Sequence, residues 1–377
     1  MATDQTLYAF SDLHLQPDEN RYLFTDAKQR VFVRVANEAI ARGATLLLAG
    51  DVFDLTGMTP PHTGLDKFFS AQALAVPKLP TAIDVGSQLQ ALHARYPDFF
   101  AVLGTLAGEG RLWIIPGNHD YAIQSAEGQA ALATALRVPA SRIQFKSTVR
   151  VGRFLFAEHG NAHDPSNTTT NGWQNPGSVI TAALYHAVAP ALRALGVEDP
   201  VADAVPCVRP EENIVTGLQE RLQPARTKKL LLALVELLRE NGYFSPCQCL
   251  EMWVARGLKH LVTPDRVRRR LADDSKLADA VRTVGSAIAS GKRATNPPGP
   301  QPTIVVMGHT HVLDTTERHY VNLGTWIDHV TGLSEEQLNR PDLTLPVLVV
   351  DGGGAALHDC QNMTSTVTDT KPLWTSP

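Results

Sequence analysis

Five short segments rich in histidine and aspartate punctuate this 377-residue chain, and nearly all of them follow directly on an apolar run. They read Ser11-Asp12-Leu13-His14, Gly50-Asp51-Val52-Phe53-Asp54, Gly117-Asn118-His119-Asp120, Glu158-His159-Gly160-Asn161 and Gly308-His309-Thr310-His311. Short β-rich apolar runs that break off into polar residues read as buried strands. Strands are therefore expected at 7–10, 45–49, 112–115, 154–157 and 303–307, with two more at 321–325 and 346–350. Helical periodicity over 25–42, stopped by Gly43, and over 125–136 separates the early strands. Alternating strands and helices argue an α/β core with its chemistry at the carboxyl ends of strands.

From about 164 to 302 no strand pattern is convincing. Helical stretches appear instead at 179–195, 213–222, 227–241, 250–261 and 275–290, and Asn296-Pro297-Pro298-Gly299-Pro300 closes the segment as a rigid linker. The expected organisation is a core of residues 1–163 and 303–360, a helical insertion at 164–302 acting as cap or lid, and a flexible Thr-rich tail at 361–377. The apolar helices of the insertion could shape a lid over a lipid or bulky leaving group, make peripheral membrane contact, or else pack only on each other or form an oligomer contact.

Asp12, His14, Asp51, Asn118, His159, His309 and His311 together make a full ligand set for two adjacent metal ions, and paired metals hydrolyse phosphate esters. Asp12 and His14, like His309 and His311, stand two residues apart and share a face if the chain is extended there. The Asp51 carboxylate has two oxygens and can bridge cations about 3.5–4 Å apart. A neutral Asn118 oxygen suits a hard or borderline cation. His119, adjacent to Asn118, is better placed as a general acid or as a donor to phosphate. Asp120 is expected to hold the His119 ring and favour its protonated form, and Asp54 to orient a ligand or cap a turn. His163 and Asp164 are ambiguous; His163 reads as a bystander, or else as a substrate contact.

Hydrophobic residues at 44% and charged residues at 19% suit a soluble globular protein. The net charge of -4 supplies no general pull toward nucleic acid. A modest basic cluster, Lys259, His260, Arg266, Arg268, Arg269 and Arg270, reads as a solvated helix face, so a nuclease ranks below an enzyme of small molecules. Cys207, Cys247, Cys249 and Cys360 fit neither a disulfide framework nor a zinc knuckle. The N-terminal residues show no signal peptide and no run is long enough to span a membrane, so the cytoplasm is the default expectation.

With these motifs in place, the chain resembles the calcineurin-like metallophosphoesterase superfamily. The segments match its five blocks, D-x-H, G-D-x-x-D, G-N-H-D/E, a strand-end histidine with glycine, and G-H-x-H, and Val-Asn-Leu-Gly-Thr-Trp at 321–326 looks like the strand that commonly follows. The resemblance covers about 7–163 and 303–351, not the insertion or the tail. It implies a two-sheet β-sandwich flanked by helices, with a helical cap as this chain's addition. It implies one ion on Asp12, His14, Asp51 and His311, a second on Asp51, Asn118, His159 and His309, and His119 as general acid. The metals implied are Mn, Fe or Zn, which a ligand roster does not choose among. The implied activity is phosphohydrolysis of a phosphodiester or pyrophosphate bond in a small molecule, lipid-linked ones included. A phosphomonoesterase, a nuclease or a non-catalytic scaffold are the alternatives. Leu55-Thr56 and Tyr121-Ala122 stand where Ser/Thr protein phosphatases carry Arg-Gly, which argues against that branch.

Overall fold

A computed structural model describes residues 6–56 save 19, 83–164 and 167, 176–231 save 210, 211 and 229, 277–352 save 318 and 340–343, 354–360 and 370–375. The seven expected strands form, as β1 (Leu7–Phe10), β2 (Thr45–Ala49), β3 (Leu112–Ile115), β6 (Leu155–Ala157), β7 (Ile304–Met307), β9 (Tyr320–Leu323) and β10 (Pro346–Asp351). Five further strands were not anticipated: β4 (Ile143–Phe145), β5 (Val149–Val151), β8 (Leu313–Asp314), β11 (Gly354–Asp359) and β12 (Thr370–Thr375). Most of these are edge or hairpin strands with little apolar run of their own. Residues 370–375, expected to be part of a flexible tail, instead pair antiparallel with β11.

The strands build two mixed sheets, ordered β12-β11-β10-β1-β2-β3-β4 and β5-β6-β7-β9-β8. Alternation along each strand decides what each face buries. Leu7 and Ala9 of β1 and Leu47 and Ala49 of β2 share an apolar layer with Leu155, Ala157, Ile304 and Val306 of the other sheet. The intervening Tyr8, Phe10, Leu46 and Leu48 face the opposite way, into a core with helices α1 (Asp26–Ala41), α2 (Val85–Arg95), α3 (Pro97–Gly108) and α4 (Ala126–Leu136). The result is α/β, two mixed sheets flanked by helices and compatible with a sandwich.

Between β6 and β7 the described residues are helical: α5 (Pro176–Ala183), a π-helical turn (Leu184–Val188), α6 (Ala189–Ala194), α7 (Asp199–Ala204), α8 (Glu212–Arg221) and α9 (Leu277–Ala289). Helix α9, expected inside the insertion, lies on the second sheet, where Val281 and Ile288 pack with Phe156, Val305 and Tyr320. The other helices do not pack only on each other. Their core includes Tyr22 and Leu23 after β1 and Ile327, Val330 and Leu333 after β9. Backbone bonds stitch the same seam, with Arg209 N–H donating to Val330 O (2.9 Å) and Val330 N–H to Cys207 O (3.1 Å). The expected helix at 250–261, most of that at 227–241, the basic cluster and the Cys247–Cys249 pair lie outside the described residues. No helix among the described residues is long and apolar enough to cross a membrane.

Candidate metal centre

The first, second and fifth motifs leave their strands through left-handed residues, not in extended form. Asp12 (φ 54°), His14 (49°), Asp51 (51°), His309 (71°) and His311 (59°) all adopt the left-handed region. A non-glycine residue there costs about 1–2 kcal/mol, and such strain gathers where geometry is over-determined for function. The expectation that Asp12/His14 and His309/His311 converge by strand alternation is therefore corrected: left-handed turns aim them. The turns are cross-braced. Asp12 N–H donates to Gly50 O (3.0 Å), His14 N–H to Asp51 O (3.0 Å), Gly308 N–H to His159 O (2.9 Å) and Trp326 N–H to Asp12 O (3.0 Å). Asn322 Nδ2 donates to Gly308 O (2.7 Å) and Thr325 Oγ1 to Asp12 O (2.8 Å), which explains the Asn and Thr of the strand after the last motif.

The turns bring all seven expected ligands into two clusters that share Asp51. In the first, Asp12 Oδ1 lies 3.4 Å from His311 Nε2 and 3.7 Å from His14 Nε2. The two ring nitrogens are themselves 3.0 Å apart, and Asp51 Oδ2 is 4.0 Å from His14 Nε2. In the second, the same Asp51 Oδ2 lies 3.1 Å from His159 Nε2, and Asn118 Oδ1 is 3.3 Å from that nitrogen. His159 Nδ1 donates to Ala49 O (2.9 Å), which fixes the tautomer and leaves Nε2 as an acceptor. His309 Nε2 points to Asp164 Oδ2 (3.0 Å), and its buried Nδ1 has no hydrogen-bond partner among the described residues. Ligand atoms of Asp51, His159 and His309 lie within 4.8 Å of one another, as do those of Asp12, His14, Asp51 and His311.

These donor sets fit divalent cations. Buried carboxylate oxygens and imidazole nitrogens crowd together at 3.0–4.0 Å, and such a cluster is costly unless positive charge, from protons or cations, sits within it. Two glycines make room for the carboxylates. A Cβ on Gly117 would fall 2.1 Å from Asp51 Oδ1, and one on Gly308 would fall 2.2 Å from Asp12 Oδ2.

The electrostatics of the metal-free chain say the same. Burial penalises the His14 cation, but hydrogen bonds to Asp12 and Asp54 and the Asp51 charge outweigh it and raise its pKa to about 10. Burial likewise opposes the His159 cation, and Asp51 and Asp12 lift its pKa to about 9. Burial disfavours the Asp51 carboxylate, yet the neighbouring His159, His119 and His14 hold it well below the usual range. Burial, with the His14 cation close by, pushes His311 down to about 3 against the pull of Asp12. Protons on His14 and His159 thus offset part of the buried carboxylate charge.

His119 is not in either cluster. Its Nδ1 lies 2.7 Å from Asp54 Oδ1, and its ring meets that of His14 edge-on at 4.7 Å. The expected Asp120 contact is a correction: the Asp120 carboxylate instead accepts N–H bonds from Gly117 (2.6 Å), Val52 (2.8 Å) and Phe53 (3.3 Å). It ties the second motif to the third, and sequence adjacency gave no hint of it. Asp54 holds the His119 ring and accepts from Gln16 Nε2 (2.6 Å). His163 pairs with Glu158 Oε1 (2.7 Å). Asp164 is the residue whose role sequence reasoning missed. Cys207 and Cys360 are buried free thiols.

No family model matches this chain, and no curated protein matches it either.

Proposed function

We propose that the chain is a dinuclear metal-dependent phosphohydrolase of the metallophosphoesterase type, acting on a phosphodiester or pyrophosphate bond of a small molecule. The observation that carries this reading is the pair of buried carboxylate–histidine clusters with one shared carboxylate oxygen, Asp51 Oδ2, beside a histidine held by its own carboxylate. Asp12, His14, Asp51 and His311 would hold one cation, and Asp51, Asn118, His159 and His309 the other. Two such cations would supply Lewis-acid charge for phosphoryl oxygens and a nucleophile from water at neutral pH.

The chain's own residues do the rest. Asp54 holds His119 by Nδ1, so Nε2 is the nitrogen left to hydrogen-bond a phosphoryl oxygen and to deliver a proton to the departing oxygen. Asp120 keeps the Asp51 and Asn118 turns in register through three backbone N–H bonds. Val312 and Leu313, directly after His311, are exposed apolar residues. They favour a substrate with an apolar part over a polynucleotide.

Turnover of a chromogenic phosphodiester with added Mn²⁺, its loss on chelation and its loss in Asp51→Ala test the reading. Asp51→Ala protein with undiminished turnover sinks it.

A further inference from the structure

One buried carboxylate, placed just after the fourth motif, sets the direction of a chain of hydrogen bonds through the second cluster. Asp164 Oδ2 lies 3.0 Å from His309 Nε2 and also accepts from Asn167 Nδ2. Asn167 Oδ1 in turn accepts from Asn118 Nδ2 (3.2 Å). A carboxylate can only accept, so each later choice follows from it. His309 must carry its proton on Nε2, which leaves Nδ1 bare. Asn167 must turn its NH2 group to Asp164, which leaves its oxygen for Asn118. Asn118 must then give its NH2 group to Asn167, which leaves Oδ1 facing His159 Nε2 at 3.3 Å. Two ligands from distant motifs, one at 118 and one at 309, are thus given the same polarity by one side chain.

Asn167 is held tightly in this role. It stands against the start of helix α5, where a Cβ on Gly177 would fall 1.9 Å from Asn167 Oδ1. Its backbone N–H donates to Asp164 O (3.0 Å), and its own carbonyl accepts from Asn161 Nδ2 (3.4 Å). The segment that leads into the helical insertion therefore reaches back to the cluster.

We propose that Asp164 and Asn167 are positioning residues for the second cation, holding His309 Nδ1 and Asn118 Oδ1 toward it as bare acceptors. This rests on the reading of the cluster as a cation site. Partners that orient metal ligands in this way are worth about 10–100-fold in metal affinity.

The test is calorimetric titration of the metal-stripped full chain with Mn²⁺, alongside far-UV circular dichroism and metal-free melting. Wild-type protein is expected to bind in two steps. Asp164→Leu and Asn167→Leu should weaken one step about 10–100-fold and leave the other unchanged. Asp164→Asn should retain most of the affinity, because an amide oxygen can accept from the same two donors. Two wild-type steps that both Leu variants leave intact, or that they weaken alike, overturn the proposal, as does an Asp164→Asn protein as weak as Asp164→Leu. Wild-type protein that binds no Mn²⁺ overturns the cluster reading itself and this proposal with it. If the Leu variants do not fold, long-range ¹⁵N–¹H spectra of metal-free wild-type protein at mildly alkaline pH decide. A His309 ring protonated at Nε2 is the expected result, and protonation at Nδ1 overturns the proposal.

Discussion

His119 Nδ1 lies 2.7 Å from Asp54 Oδ1, so the ring of the third motif is held by the last residue of the second. Asp54 is itself fixed by Gln16 Nε2, which donates to its other oxygen at 2.6 Å. The pair abuts the first cluster through His14, whose Nδ1 lies 3.9 Å from Asp54 Oδ2, and the proposed mechanism uses it as the proton donor to a leaving group.

Replacing His119 with alanine should cut turnover by about 10²–10⁴ with both cations still bound. The deficit should shrink for a leaving group that departs without a proton, such as p-nitrophenolate. Metal content and turnover over a series of leaving groups check this. A His119→Ala protein equally impaired on every leaving group would argue that the ring binds phosphate and donates no proton.

Gly117→Ala should abolish metal binding while most of the fold survives. Its new methyl group would land on the Asp51 carboxylate, at 2.1 Å from Oδ1, and neither the turn nor the shared ligand has room to yield. Elemental analysis of the purified variant, with circular dichroism for the fold, reads the outcome. Normal metal content would mean that the Asp51 turn adapts.

The metal-free chain should lose stability as pH rises from about 6.5 to about 10. His14 and His159 have folded pKa values raised to about 10 and about 9 from 6.5. A raised value means stabilisation that is complete below the unfolded pKa and drains away as pH climbs through the folded one. With cations bound, the same rings are neutral ligands and the slope should disappear. Melting temperatures across this range, with and without Mn²⁺, provide the comparison. Parallel curves would count against protons and cations competing for one site.

The loop after β9 is anchored by a buried ion pair, Lys28 Nζ to Asp328 Oδ1 at 2.5 Å, and Lys28 also donates to Leu23 O (2.6 Å). Removing one partner leaves a buried charge uncompensated, which costs about 3–5 kcal/mol. Lys28→Met alone should therefore be much worse than Lys28→Met with Asp328→Leu. Denaturant unfolding of the single and double variants measures the coupling, and additive losses would show that the pair does not act as one unit.

Much of the fold was legible because the central strands bury both faces and read as apolar runs: β1, β2, β3, β7 and β10 lie close to where their sequences put them. Helix α1 was legible from apolar spacing over 25–42 with Gly43 as a stop, and α4 from its alanine-rich run; in the structure their caps are Thr25, accepting from Lys28 N–H, and Ser125, accepting from Gly128 N–H. The edge strands β5, β8 and β12 carry no such pattern, since a strand paired on one side needs no continuous apolar run. The candidate ligand set was readable because metal chemistry restricts residue type, and the structure gathers those seven side chains. How the ligands are aimed was not, since left-handed φ at an aspartate or histidine leaves no mark in the sequence. The supports Asp54, Asp120 and Asp164 act across 65, 68 and 145 positions of chain, and no local pattern reports such pairings.

The most direct test is an anomalous difference map from crystals grown with Mn²⁺. The account predicts two peaks about 3.5–4 Å apart, one among Asp12, His14, Asp51 and His311 and the other among Asp51, Asn118, His159 and His309, with Asp51 touching both. A map with no peak there, or with a single cation that Asp51 does not contact, would contradict it.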